Sequence, residues 1–507
     1  MRTGTIGIDI GTSSTKGVFV DPQGQLLASA AREHMVSRPA PGQVEMDPEI
    51  WWAELVSIVR ELRERAADVE PVAIGVSGMG PCVVLLDDAG AAVRPAILYG
   101  VDTRAGEQIE QLTAELGADR IVATGGTPLT SQAAGPKIAW VREHEPQAYA
   151  RASSLAMPAS FLAHRLTGEL LLDHHSASQA WPLYDIDAAT WRDDWGERSA
   201  PGIAQPRLAL PGDSAGTVTP QAADATGLPA GIPVALGTID SWNEAVSAGA
   251  IRSGDLMLAY GTTMFLITTT DRRREAPGMW TTRGVEAGTY SLAGGMATSG
   301  AITTWIRDLV GDDYASLSRQ AAESGLGANG LLMLPYFAGE RTPIQDPDAR
   351  GVVVGMTLST TAGDLYRAAL EATAFGVRHN IEVMREAGAA VERVVAVGGG
   401  TTFLQAKTAN EVLKAQERRI RLQKLKGELI ERARALALVF RLAREERDTW
   451  VNWPARAAAL MAAELSASCT DATGQQITVE PAAMQKVLEK HVRAHLDELA
   501  EVRPDFR

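Results

Sequence analysis

Asp9 stands inside an apolar run, Thr5 to Ile10, and Gly11-Thr12-Ser13-Ser14-Thr15-Lys16 follows at once. A carboxylate in an apolar strand must be paired or must bind a cation, because burying it alone is costly. Gly11 lets the backbone bend tightly, and the amides of Thr12 and Ser13 are then able to point at an anion. Gly17 to Val20 reads as a returning strand, closed by the turn Asp21-Pro22-Gln23-Gly24. The unit is a β-hairpin with a polar tip, unlike a Walker loop, which runs from strand into helix. Two readings fit: a phosphate-and-magnesium site, or an ordinary hairpin with a hydroxyl-rich turn.

A second acid, Asp240, follows Gly237-Thr238-Ile239 behind an apolar strand expected over Ile232 to Leu236. A helix is expected from Trp242 to about Ala248. Then a second strand-turn-strand appears: Leu256 to Tyr260, the tip Gly261-Thr262-Thr263, and Phe265 to Thr269. Its layout repeats the opening hairpin and suggests two related α/β halves facing one another. Val394 to Val397 reads as a strand running into Gly398-Gly399-Gly400. Three glycines there let a ligand approach the backbone closely, or make a flexible turn. Asp102, Arg104, Gln132, Lys137, Ser176, Ser178 and Trp181 could line a pocket, although each taken singly reads first as a solvated surface residue.

The elements around these residues are those of an α/β protein. Leu26 to Met35 reads as a strand. Asp47-Pro48 is a helix start, with Trp51, Leu55, Ile58 and Leu62 on one face. Pro71 is expected to end that region, Val72 to Val76 to form a buried strand, Ser77 to Pro81 a loop, and Cys82 to Leu86 to resume the sheet. The stretch from Asp102 to about Ile203 reads as helices and loops. Leu331 to Phe337 is strand-like, Gly339 to Gly351 a loop, and Gly363 to Glu386 a long helix. Beyond about Thr408 glycine nearly disappears and charge becomes dense. Lys414, Arg418, Arg419, Arg421, Lys424 and Lys426 form a basic run, and Leu422, Leu425, Leu429, Ala433, Leu436 and Phe440 keep a helical spacing. Ala482 to Glu501 reads as another helix, so an all-helical tail is expected.

The 507 residues leave room for two or more domains. A net charge of −14 argues against a nucleic-acid partner or a membrane surface and for small-molecule chemistry. The two cysteines, Cys82 and Cys469, are far apart and fit a reducing compartment. No run of about 18 apolar residues appears, so a cytoplasmic protein is expected.

Taken together the motifs resemble the FGGY family of carbohydrate kinases, its xylulokinase-like members in particular. The resemblance rests on Gly7-Ile-Asp-Ile-Gly-Thr-Ser-Ser-Thr-Lys16, Gly237-Thr-Ile-Asp240, Tyr260-Gly-Thr-Thr263, Gly398-Gly-Gly400 and, most specific, Gly339-Glu-Arg-Thr-Pro-Ile-Gln-Asp-Pro-Asp-Ala-Arg-Gly351. It covers residues 4 to 402. It implies two actin-like, ribonuclease H-like ATPase lobes around a cleft that holds ATP and Mg²⁺. The lobes would span 1–243 and 244–407, the second incomplete, with the helical tail over 408–507.

By the same resemblance Asp9 would hold Mg²⁺ and Asp240 would be the catalytic base. Gly11, Thr12, Ser13, Lys16, Gly261, Thr262 and Thr263 would hold phosphates, and Gly398, Gly399 and Gly400 would lie against the nucleoside. Met79, Gly80, Asp102 and Arg104 would join Asp240 on the substrate side. The loop Ser77 to Pro81 lacks the Gln-Met-His of xylulokinases and the Arg-Glu of glycerol kinases, which leaves the sugar or polyol open. After Gly400 the family's pattern gives way to the tail, which resembles the helical C-terminal part of phage terminase small subunits. The alternative to an active kinase is therefore an inactive kinase-derived protein whose tail serves binding or assembly. The expected partners are a small sugar or polyol and, for assembly, a second copy in a homodimer.

Overall fold

β1 (Arg2–Ile10) is a strand because Ile6, Ile8 and Ile10 recur with period two and are all buried. The computed structural model describes residues 2–398, 454–455, 457–468, 470 and 478–501. β2 (Ser14–Val20) and β3 (Leu26–Glu33) continue β1 as an antiparallel meander. α1 (Pro48–Arg65) begins as expected, with the Asp47 carboxylate accepting from the Glu49 amide at 3.0 Å. Trp51, Leu55, Ile58 and Leu62 are fully buried in the core of the first lobe.

β4 (Val69–Gly78) lies parallel to β1. Pro71 does not end this region; it sits inside β4 opposite Gly4, and the register shifts there so that Val72 bulges out. A proline has no amide to give to the ladder, and a bulge is where a sheet tolerates it. β5 (Val84–Leu86) does not resume the main sheet either. It pairs with β6 (Ser154–Ala156) in a separate two-stranded sheet. The middle of the chain is helical as expected, and α2 (Pro158–Thr167) and the short α3 (His174–Ser178) belong to it. β7 (Ser214–Thr217) and β8 (Pro233–Ala235) complete a six-stranded sheet of order β7-β8-β4-β1-β2-β3.

α4 (Asp240–Ser247) starts two residues earlier than expected, so Asp240 itself opens the helix. The second lobe follows with β9 (Asp255–Tyr260), β10 (Met264–Thr270), β11 (Trp280–Arg283) and β12 (Tyr290–Met296). After α5 (Gly300–Val310), the short ribbon β13 (Leu332–Leu334) and β14 (Val352–Val354) precedes the long α6 (Ala362–Glu386) and β15 (Arg393–Val397). The second sheet has five strands in the order β11-β12-β10-β9-β15. One face packs on α6 through Leu256, Leu258, Leu266, Leu292, Val377 and Ile381. The other packs on α4 through Met257, Ile267, Ala293, Trp242 and Ala245.

The two lobes meet along β11. The Arg283 amide donates to Ser178 Oγ at 3.0 Å, and His175 Nδ1 donates to the Arg283 carbonyl at 2.7 Å. His175 is fully buried with its ring centroid 4.0 Å from that of Trp242, and burial pushes its pKa down to about 3. It is therefore neutral at neutral pH.

The chain divides into two units, Met1–Asn410 and Glu411–Arg507. In the second, α7 (Pro481–Glu501) is the helix expected from Ala482. Gly399, Gly400, the basic run and the spaced apolar residues 422–440 lie outside the described residues. No described helix is long and apolar enough to cross a membrane.

Candidate active site

β1, β4 and β8 run parallel, and their carboxyl ends meet at one place. In open α/β sheets that end is where ligands bind. Asp9 sits one residue before the end of β1. Its Oδ1 accepts from Ser77 Oγ of β4 at 2.6 Å, and its backbone pairs with Lys16 across the hairpin. The Met79 amide donates to the Ile10 carbonyl at 2.7 Å, and Gly78 bridges to Ile239. The backbone before Asp240 is thus tied to the ends of the other two strands. Gly237 makes this turn possible. Its φ is +73°, and a Cβ there would stand 1.7 Å from the Val76 carbonyl oxygen.

Asp240 and Glu244 are four apart in α4 and share a face. Asp240 Oδ1 accepts from the Ser241 amide at 2.6 Å. Burial first, and then the negative charge of Asp9, push its pKa up to about 6. Glu244 is raised by the same two causes in the same order, and Lys16 opposes them. Asp240 keeps some accessible surface while protein surrounds it, as a group on the wall of a recess does. Its carboxylate is mostly ionised at neutral pH and close enough to neutrality to take a proton efficiently.

The two hairpin tips are built alike. Gly11 N donates to Ser14 O at 3.0 Å, and Gly261 N donates to Thr263 O at 3.0 Å. The tip carbonyls are also held: Ser13 O accepts from His34 N at 3.1 Å, and Thr262 O accepts from Ser299 N at 3.0 Å. His34 Nε2 lies 3.0 Å from Gly11 O, and its Nδ1 lies 2.9 Å from Glu54. By contrast, the amides of Thr12, Ser13, Thr262 and Thr263 make no backbone hydrogen bond among the described residues. Tied carbonyls and unspent amides are what an anion cradle requires. Gly398, with φ +94°, leaves β15 so close to β9 that a Cβ would meet the Tyr260 carbonyl oxygen at 2.4 Å. Gly399 and Gly400 lie outside the described residues.

The tips and the acids fit Mg-ATP chemically. No three His, Cys, Asp or Glu side chains among the described residues converge on one metal position. A cation here would draw its ligands from water and phosphate oxygens as well as Asp9, which is the ordinary habit of Mg²⁺.

Four of the expected substrate residues, Met79, Gly80, Asp102 and Arg104, are taken up by the fold. Asp102 and Arg104 are not open to a solute. Asp102 is fully buried and accepts from the Val44 amide at 2.6 Å, and Arg104 donates to Asp102 at 2.8 Å and to Glu45 at 2.6 Å. Arg94 joins the same network through Glu45 and Glu145. These charges neutralise one another inside the fold, so the expected substrate contact is dropped for both. Met79 points into the core of the first lobe, 2% exposed. Gly80 is pressed against Ile239, where a Cβ would come within 2.7 Å of the side chain.

Tyr99, which sequence reasoning passed over, does reach the site. Its hydroxyl is 2.9 Å from Thr12 Oγ1, and it feels the charges of Asp240 and of Arg341 from the second lobe. Lys137 and Gln132 act behind it. The buried Lys137 Nζ donates to Leu98 O at 2.6 Å and to Tyr99 O at 2.9 Å, and Gln132 Oε1 accepts from Gly100 N at 3.0 Å. Burial lowers the Lys137 pKa to about 8. No local pattern marks Tyr99, because its partners are distant in sequence.

Comparison with known proteins places this arrangement. Residues 5–247 match the N-terminal domain of the FGGY family of carbohydrate kinases, and residues 256–404 match its C-terminal domain. The xylulose kinase of Bacillus subtilis (strain 168) is 30% identical over 414 residues, which cover 79% of this chain and 82% of that one. The chain belongs to the FGGY family of carbohydrate kinases. The glycerol kinase of Nocardia farcinica is also 30% identical, over 406 residues covering 76% of this kinase and 79% of that protein. The crystal structure of xylulose kinase from Rhodospirillum rubrum superposes on the kinase with a TM-score of 0.73 at 34% identity, covering 79% of this chain and 82% of that chain. The two facing lobes are thus the actin-like ATPase fold that the motifs implied. The family match ends at residue 404.

Proposed function

We propose that this kinase transfers the γ-phosphoryl group of ATP to a hydroxyl of a ketose or polyol, with Asp240 as general base. The observation that carries the reading is Asp240 itself. It is a carboxylate with a pKa of about 6, next to a backbone tied to the carboxyl ends of the parallel strands and near enough to Asp9 to feel its charge. Relatives named for xylulose and for glycerol support both substrate classes, with a xylulose-like ketose the first to test.

ATP supplies the phosphoryl group, and its Mg²⁺ neutralises phosphate charge beside Asp9. The amides at Gly11–Ser13 and Gly261–Thr263 hold phosphate oxygens, with Lys16 near the first tip. Gly398, just past the end of β15, lies against the nucleoside, as the motif Gly398 to Gly400 implies for its neighbours in sequence. Asp240 accepts the proton of the acceptor hydroxyl as that oxygen attacks, and Ser241 keeps the carboxylate oriented. Phosphoryl transfer asks little more of a protein than position and charge. In this reading residues 1–243 and 244–407 are the two lobes and 408–507 an appended domain. The test is turnover of Mg-ATP with D-xylulose, other ketoses and polyols. Absence of turnover across that panel would sink the reading.

One observation favours a second reading, a kinase-derived protein without turnover: the family match stops at residue 404 of 507, after β15. Calorimetric titration with Mg-ATP separates the two. Tight binding at one ATP per chain would argue that the nucleotide site is complete.

A further inference from the structure

The Gly339–Gly351 loop marks the family, yet the reading above gives it no task. Its hydrogen bonds converge on holding one residue still. Glu340 is buried, and its Oε1 accepts from the Ala297 amide at 2.9 Å and from the Arg341 amide at 2.7 Å. Glu340 and Asp346 exchange two backbone bonds at 2.7 and 2.9 Å. Thr342 Oγ1 donates to Asn380 Oδ1 of α6 at 2.7 Å and accepts from the Gly295 amide at 2.6 Å. Arg341 is therefore pinned from both sides.

Its guanidinium stands beside the second tip. Arg341 Nη2 donates to the carbonyl of Met296, the last residue of β12, at 2.8 Å. Met296 pairs with Met264, the residue that follows the Gly261–Thr263 tip. From the other lobe Tyr99, bonded to Thr12 of the first tip, lies within its electrostatic reach. Arg341 forms no ion pair among the described residues and donates to the Met296 carbonyl, while the neighbouring Glu340 carboxylate, itself held by two backbone amides, supports its charge. Arg341 keeps exposed surface, and surrounding protein lowers its pKa by stripping solvation. A guanidinium beside the second tip, with N–H groups unspent among the described residues, is suited to meet an anion as a planar fork.

We propose that Arg341 is a catalytic residue: from the second lobe its guanidinium bonds the phosphoryl oxygens during transfer and stabilises their charge. This rests on the reading of the tips as phosphate holders. The bond from the acceptor oxygen to phosphorus forms as the bond from phosphorus to ADP breaks, the acceptor proton goes to Asp240, and Arg341 stays protonated throughout. Such a charge acts on the transition state more than on bound substrates.

The test uses the full-length chain with Mg-ATP and either D-xylulose or glycerol. Arg341→Ala is expected to lower kcat about 10³-fold with both KM values within about threefold of wild type, and methylguanidinium in solution is expected to restore part of the rate. Arg341→Lys should recover little, because an ammonium cannot present a fork. A kcat within about tenfold of wild type, or a loss confined to the acceptor KM, overturns the proposal.

A second measurement needs no acceptor: titration of Mg-ADP with and without aluminium fluoride. Arg341→Ala should bind Mg-ADP as wild type does and lose the gain in affinity that the fluoride brings; keeping that gain overturns the proposal. Wild-type protein that neither turns over nor binds Mg-ADP condemns the phosphate reading itself and Arg341 with it. Normal wild-type turnover with an unimpaired Arg341→Ala removes Arg341 alone. Arg341→Gln carries the same arms where the alanine variant does not fold.

Discussion

The first and second lobes carry the same four-strand unit. In the first, β4-β1-β2-β3 has one parallel pair and two antiparallel ones; in the second, β15-β9-β10-β12 repeats the order and the pairing senses. Each ends its first hairpin in a glycine-hydroxyl tip with tied carbonyls. What differs is charge. Two residues before Gly11 stands Asp9, paired with Lys16, whereas two residues before Gly261 stands Ala259, paired with Phe265. The halves share the tip geometry, and only the first adds a carboxylate. Under the proposed function, a two-fold repeated fold would hold phosphates from both sides and keep its acids on one side.

The outer edges differ too. β4 is flanked by β8 and β7, while β15 is the last strand of its sheet among the described residues. Asp240 hangs on that flank of the first lobe, at the turn after β8. The flank thus positions Asp240 in one lobe, and the second lobe has no described counterpart.

The comparison is broken most severely at Asp240. Asp240→Asn is expected to lower kcat about 10³-fold while Mg-ADP still binds, read by an ADP-release assay and by calorimetry. Next comes Asp9→Ala, which copies Ala259 into the first lobe. It should cost about 10²-fold in kcat and raise the Mg²⁺ concentration needed for half activity. Ala259→Asp, the converse change, should leave kcat within about twofold if the acid matters on one side only. Equal losses from both changes would mean that the lobes share the metal's work.

Asp102→Asn tests the correction made to the substrate side. Leaving Arg104 with a weakened partner in the buried network should destabilise the first lobe by about 3 kcal/mol, visible as a lower melting temperature. The acceptor KM of the remaining folded enzyme should not move; a large rise would return Asp102 to the substrate.

The smallest effect is on pH dependence. Asp240 works ionised, so kcat/KM should be flat above its pKa of about 6 and fall as pH drops through it. Asp9 raises that pKa, so Asp9→Asn should shift the acid limb downward, by less than about one unit, since burial is the larger cause. An upward shift in the remaining activity would contradict the charge coupling between the two acids.

Much of the frame was legible in the chain. The hairpin tips follow from glycine and hydroxyls at a strand end, because a tight bend and its amides are local properties. α1 followed from the Asp47-Pro48 start and the spacing of Trp51, Leu55, Ile58 and Leu62. The edges were harder. Pro71 looked like a terminator and proved to be a bulge, since a neighbour's register decides what a proline disrupts. Cys82 to Leu86 had strand composition, yet composition does not say which sheet a strand joins.

The sequence by itself determined two glycine-hydroxyl hairpin tips, an acid beside the first, an acid at Asp240 after a glycine turn, and the family signature at Gly339–Gly351. Those depend on residue type and short spacing. Only the tertiary structure decided which charges face the recess. Asp102 and Arg104 carry the right chemistry and are consumed by each other and by Glu45. Tyr99 and Arg341 come from opposite lobes, more than two hundred residues apart in sequence. Whether a charge serves the ligand or the fold depends on which partner reaches it first, and chain order does not contain that distance.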